Sequence, residues 1–163
     1  MIHHVTGDIL LSRAQALAHG VAPNDHFDTG LALSLRQDWP ALHKDFRHYL
    51  HTAHPKPGGL WVWRGTDGRR LINLFTQEPA PSEHAHPGKA SYHNVTLCLR
   101  ELHKLVVSES IPSLALPRLA TGVGGLDWDQ VEPLIVQHLG SLHIPVYLYT
   151  TYQKGVAADE PVQ

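Results

Sequence analysis

The 163-residue sequence predicts an α/β fold, a three-layer α/β/α arrangement around a mixed and mostly parallel central sheet. Apolar runs of strand length alternate with segments of helical period through the second half of the chain, as parallel strands joined by crossover helices require. A hairpin interrupts the middle. Leu60 to Arg64 and Arg70 to Thr76 flank Gly65-Thr66-Asp67-Gly68, so one strand pair runs antiparallel. The third observation is the stretch Leu114 to Trp128, where an apolar run enters a glycine-rich turn and then an amphipathic helical pattern.

Taken in order, Ile2 to Val5 reads as a first strand, and Gly7-Asp8-Ile9-Leu10 as a turn opening a short extended segment. Ala14 to Val21 suits a buried strand, because the turn-forming loop 22 to 30 follows it. Helical spacing resumes at Leu31, with Asp28 or Thr29 as N-cap. A second helix begins at Asp38-Trp39-Pro40, where Pro is tolerated in the first turn, and repeats Leu42, Phe46, Tyr49 and Leu50 on one face. Pro55 to Gly59 ends it. The strand from Arg70 is apolar nearly throughout, as burial on both faces demands. Gln77 to Gly88, with three prolines and two histidines, is a loop long enough to be functional. Lys89 to Ser108 is expected to be helical, placing Val95, Cys98, Leu99, Leu102, Leu105 and Val106 on one face. Ser113 to Leu119 is the strand before the glycine turn, and Trp128, Val131, Leu134, Ile135 and Leu139 form the inner face of the helix after it. Pro133 requires that helix to start near Asp129 or to bend. Ile144 to Thr150 is the last strand. One domain is expected over 1 to 153, with a disordered tail from Lys154 to Gln163.

The 42% hydrophobic and 17% charged content is that of a globular protein with a real core. A formal charge of -2 and a pI near 6.7 argue against a broad basic nucleic-acid footprint, while leaving room for a compact site that takes a nucleotide or a short modified strand. The single Cys98 cannot form an internal disulfide. The N-terminus lacks the basic and apolar regions of a secretory signal, and no run approaches the roughly 18 apolar residues of a membrane span. A cytoplasmic monomer without membrane contact is expected. Fourteen histidines invite a metal reading, but there is no His-Glu-x-x-His and no cysteine pair beside His84-Ala85-His86, so neither metal nor cofactor is expected.

The glycine turn carries the first functional signal. A strand entering a glycine-rich loop and a helix points backbone N–H groups at an anionic ligand, and Gly122, Gly124 and Gly125 can take positive φ and admit a ligand closely. A tight strand-to-helix connection explains the same glycines. In open α/β sheets ligands sit beyond the carboxyl ends of the strands, so the loops 22 to 30 and 120 to 126 are expected to face one another across a cleft.

Three segments in this order resemble a macrodomain, the ADP-ribose-binding α/β module: Thr6-Gly7-Asp8-Ile9-Leu10, His19-Gly20-Val21 through Thr29-Gly30-Leu31-Ala32, and Leu116-Pro117-Arg118 through Gly124-Gly125-Leu126-Asp127-Trp128. Asn73-Leu74-Phe75-Thr76-Gln77 and Ser91-Tyr92 make it most similar to the branch with the terminal ADP-ribose glycohydrolase and the DNA-thymidine ADP-ribose hydrolase antitoxins. The resemblance, from about residue 2 to 152, implies ADP-ribose as ligand. It assigns Asp8 to the adenine amine, the Ile9 backbone to the adenine edge, and Tyr149 or Tyr152 to stacking. Thr121, Gly122, Val123, Gly124, Gly125 and Leu126 would hold the diphosphate, Thr29, Gly30 and Leu31 would close over it near the distal ribose, and Gly20, Val21 and Ala120 would also bind the ligand.

In the similar hydrolases a lysine after the central strand can attack the distal ribose and an aspartate in the third motif assists. Gln77 and Gly124 stand at those positions here, so a lysine-linked intermediate is not expected. The remaining candidates for chemistry are Gln77, Asp28, Glu83 and His84, with Asn24, Asp25, His26 and His86 nearby in sequence. The resemblance thus implies removal of mono-ADP-ribose from a modified protein carboxylate or DNA base. The alternatives are a reader that binds without turnover and a phosphatase acting on ADP-ribose 1″-phosphate.

Overall fold

The computed structural model describes residues 1–162. Along the chain run β1 (Ile2–Gly7), β2 (Ala16–Val21), α1 (Gly30–Asp38), α2 (Pro40–Ala53), β3 (Leu60–Arg64), β4 (Arg70–Phe75), α3 (Tyr92–Ser108), β5 (Leu114–Pro117), α4 (Trp128–Leu139) and β6 (Val146–Tyr152), with a short 3₁₀ turn at Ile9–Leu11. The strands form one sheet in the order β1-β6-β5-β2-β4-β3. Every pairing is parallel except β3 with β4, the expected hairpin, which leaves β3 as the antiparallel edge.

Period-two alternation divides the sheet's side chains between two cores. Ala16, Ala18, Ile72, Leu74, Leu114 and Leu116 face α3 and α4, which bury Val95, Cys98, Leu99 and Leu102 from one helix and Val131, Ile135 and Leu139 from the other. Leu17, Val21, Leu71, Phe75 and Ala115 face the opposite layer, where Phe27, Leu35, Leu42 and Phe46 close the core under α1 and α2. This is the expected three-layer architecture.

Some boundaries differ from the sequence reading for identifiable reasons. Lys89 and Ala90 are extended rather than helical. Glu78 N–H donates to Lys89 O, and Ala90 N–H donates to Gly124 O at 3.0 Å, so these residues bridge two loops. The helix starts where Ser91 Oγ caps Asn94 N–H at 3.0 Å. The start of α4 at Trp128 agrees with the expectation of a start near Asp129: Asp127 caps the helix at Asp129 N–H, and Pro133 sits inside it. Ile9–Leu11 is a 3₁₀ turn rather than an extended segment, because Asp8 Oδ1 accepts from Leu10 N–H.

The tail from Lys154 onward corrects the expectation of disorder, apart from Gln163, which lies outside the described residues. Asp8 N–H donates to Val156 O at 2.7 Å, and Gly155 N–H to Asp8 Oδ2 at 2.9 Å. Glu160 accepts from Ser12 Oγ–H, Arg13 N–H and the Tyr149 hydroxyl, and the Tyr147 hydroxyl donates to Pro161 O. On the tail's side, Glu160 contributes through its carboxylate, whereas Gly155, Val156 and Pro161 contribute through the backbone.

Candidate ligand cleft

Parallel pairing brings the carboxyl ends of β1, β2, β4, β5 and β6 to one edge of the sheet, and the loops leaving them enclose two adjoining cavities. The first, about 260 Å³, lies between the start of α1 and the glycine turn after β5. The second, about 420 Å³, lies between the 3₁₀ turn, Ser34 of α1 and the end of β6. Gly30, Leu31 and Pro117 line both, so the two form one cleft.

Two sets of backbone donors face the first cavity. The N–H groups of Gly30, Leu31 and Ala32 open α1 and have no acceptor among the described residues, as helix starts require, and the Thr29 side chain makes no capping bond. Across from them, the N–H groups of Gly122, Val123 and Gly124 likewise have no acceptor among the described residues, while the Thr121 hydroxyl donates to Arg118 O at 3.2 Å. Their turn is closed from within by Leu126 N–H to Ala120 O at 2.9 Å and Gly125 N–H to Gly122 O at 3.0 Å. The glycines act differently from the sequence reading. Only Gly125 of the three has positive φ, at 77°, while Gly124 is required because a Cβ there would lie 2.6 Å from Ala120 O. Ala120 itself sits at φ 63°. Helix-start and loop N–H groups converging on one space form an anion site. Arg118, whose guanidinium lies over the Trp128 ring at 5.3 Å, adds a cation to the wall that the sequence reading did not single out.

Asp8 lies at the floor of the second cavity, 6% exposed. Its two oxygens accept from Leu10 N–H and Gly155 N–H, and each keeps a lone pair. Ile9 N–H has no acceptor among the described residues. A buried carboxylate beside a free backbone donor matches a heteroaromatic edge that offers an amine next to a ring nitrogen. Tyr152, 65% exposed, is the free aromatic face at this end, whereas the Tyr149 hydroxyl is held by Glu160 at 2.6 Å. Burial first, and the neighbouring Glu160 next, raise the Tyr149 pKa well above the usual tyrosine range.

The candidates for chemistry are dispersed. Gln77 lines the first cavity, yet its Nε2 donates to Gly88 O at 3.0 Å, which turns the amide into a loop brace. Glu83 and His84 line a different cavity with Asn24, His26 and Arg47, and Asp28 is exposed on the loop and lines neither part of the cleft. Asn24 pairs both ways with the Ala80 backbone, at 2.9 and 2.8 Å, tying the two long loops together. Asp25 shapes its own turn by accepting from Ala22 and Phe27 N–H. Gly20 reaches the first cavity, whereas Val21 is core.

His19 is the residue the sequence reading missed. It lies on β2 at the floor of the first cavity, 2% exposed, with Nε2 2.7 Å from Asn73 Oδ1. Asn73 Nδ2 donates to Trp61 O and Leu71 O, so Oδ1 must face the imidazole as an acceptor. Nε2 therefore carries the proton, and Nδ1, with no protein partner among the described residues, is an acceptor. Burial lowers the His19 pKa, against the opposing influence of Asn73 and Asp25, and keeps the ring neutral. Its signals in sequence were its place between Ala18 and Gly20 in a buried strand and at the head of the segment His19-Gly20-Val21 that carries the resemblance.

The Macro domain family profile matches residues 40–135. A DNA ADP-ribosyl transferase-DNA ADP-ribosyl glycohydrolase fusion protein of Thermosipho africanus is 27% identical over 164 residues, covering 93% of this chain and 42% of its own. The human ADP-ribose glycohydrolase is 23% identical over 150 residues, covering 91% of each chain. The chain thus spans less than half the length of the first of these relatives. Among solved structures, the Thermosipho africanus protein in complex with ADP-ribose superposes with a TM-score of 0.79 at 23% identity, over 96% of this chain and 42% of that one.

Proposed function

The chain belongs to the macrodomain family, and on that premise we propose that it binds ADP-ribose in this cleft and hydrolyses mono-ADP-ribose from modified protein carboxylates or DNA bases. The observation that carries the reading is the pair of N–H sets without acceptors among the described residues, at the start of α1 and at Gly122–Gly124, facing one cavity that continues into the Asp8 and Ile9 pocket. A diphosphate spans the first and adenine fills the second. The names of the relatives, and the ADP-ribose complex of a chain with this fold, support the same ligand.

Catalysis in this reading needs no lysine nucleophile. With the diphosphate fixed, the distal ribose lies over His19 and Gln77. Water adds through oxygen to the anomeric carbon and gives its proton to His19 Nδ1, while the glycosidic bond breaks and its electron pair stays on the departing oxygen or nitrogen. A carboxylate leaves readily as an anion, so that substrate needs no general acid. Gln77, braced by Gly88 O, keeps the loop clear of the ribose. Calorimetry with free ADP-ribose tests the shared premise, and no heat at millimolar ligand overturns it. Release of ADP-ribose from a glutamate-modified protein or from thymidine-modified DNA tests the chemistry. His19→Ala is expected to lower the rate at least about a hundredfold, the lower range for losing a general base. Intact substrates with bound ADP-ribose would identify a reader instead.

A further inference from the structure

Beside the cleft, α1 and α2 present a trough of about 670 Å³ between Arg36 on one helix and Lys44 and Arg47 on the other. All three cations are exposed, and none forms an ion pair among the described residues. The acids on these helices point elsewhere or lie outside the trough: Asp45 accepts from Trp63 Nε1 at 2.8 Å, and Asp38 is exposed at the end of α1. Arg36 is steadied by donating to His26 O at 3.1 Å.

The trough adjoins the cleft by way of a third cavity. His43 and Arg47 line both it and the cavity holding His26, and Asp25 lines both that cavity and the first part of the cleft. This third cavity, lined also by the carboxylates Asp25 and Glu83, shares walls with both the part of the cleft holding His19 and the cations of α2. His43 packs on Phe27 with ring centroids 5.5 Å apart, and the Arg36 and Arg47 cations lie close enough to act on it electrostatically, as does the Asp25 carboxylate with the opposite sign.

We propose that this α1–α2 trough binds the sugar-phosphate flank of a single-stranded nucleic acid whose ADP-ribosylated base occupies the cleft. The inference rests on the function proposed above and narrows its substrate. Lys44 and Arg47, three residues apart on one helix, lie about one phosphate spacing from each other. Arginine forks match phosphate oxygens, and the half-buried His43 ring offers a flat face on which a base stacks. An acidic peptide would use the cations and leave the ring face unused. A modified base must also leave a duplex stack to enter a pocket, which favours an unpaired strand.

The test uses a fluorescein-labelled, unmodified single-stranded oligonucleotide and the full chain, read by anisotropy across a salt series. With three phosphates neutralised, log K is expected to fall against log salt with a slope of about -2, from about 0.7 per phosphate on single strands. The variant Arg36→Glu/Lys44→Glu/Arg47→Glu is expected to bind at least about tenfold more weakly with a flattened slope, and to bind free ADP-ribose as the parent does. The milder Arg36→Ala/Lys44→Ala/Arg47→Ala variant is expected to shift in the same direction. Unchanged affinity and slope in both variants overturn the proposal, as does equal competition by a polyglutamate peptide. If ADP-ribose gives no calorimetric heat while the oligonucleotide still depends on these residues, the function proposed for the cleft fails and this surface stands.

Discussion

At the scale of single residues, the His19–Asn73 pair shows how a buried polar group is made tolerable and usable. Asn73, fully buried, satisfies its amide on two backbone carbonyls and presents one oxygen to the ring, so His19 is neutral, of one tautomer and immobile. This has a pH consequence. Because burial lowers the folded-state pKa from the ordinary value of 6.5, the unfolded chain takes up a proton that folded His19 refuses. The stability from this residue is present above that value and is lost as the pH falls through it. Urea midpoints measured from about pH 8 to about pH 5 are expected to fall on acidification, and to fall less in His19→Gln, which keeps a donor for Asn73 but does not titrate. His43, whose pKa is lowered by burial and by Arg36, Arg47 and His26 in that order, supplies the slope that remains. An unchanged slope in the variant would show that His19 takes up its proton in the fold as readily as in the unfolded chain.

At the scale of elements, the glycine turn separates two uses of glycine. Gly122 has open space where a Cβ would be, whereas at Gly124 the Cβ would meet Ala120 O at 2.6 Å. Gly124→Ala is expected to lower the urea midpoint and to weaken ADP-ribose binding at least about tenfold, about 1.4 kcal/mol, because the loop must open to admit it. Gly122→Ala is expected to leave the midpoint unchanged. Equal behaviour of the two would mean that the turn relaxes freely. The same clash explains why placing an aspartate at 124 would not rebuild the carboxylate of the similar hydrolases in this backbone. A larger side chain there displaces Ala120, whose carbonyl closes the turn onto Leu126.

At the scale of the whole molecule, the C-terminal segment fastens the cleft from behind. Val156 and Gly155 bond to Asp8, and a Cβ on Gly7 would lie 2.7 Å from Val156 O, so the strand end and the tail are built for one another. A stop after Gln153 removes the partners of Asp8, Ser12 and Tyr149, and is expected to lower the melting temperature and to weaken ADP-ribose binding together. A truncated chain that binds normally would show that the 3₁₀ turn holds Asp8 alone. Much of this was legible in the amino-acid order. Apolar periodicity and turn residues determined the layers, the hairpin and the order of elements, since those depend on neighbours along the chain. The glycine turn and Asp8 were legible as ligand-facing for the same reason. Tertiary structure alone decided that Glu83 and His84 open into another cavity, that Gln77 is spent on Gly88, that His19 is held as a neutral acceptor and that the tail is ordered. Each of those outcomes depends on a partner from another part of the chain, such as Asn73 for His19 at a separation of 54 residues and Asp8 for Gly155 at 147, and no local pattern encodes such a meeting.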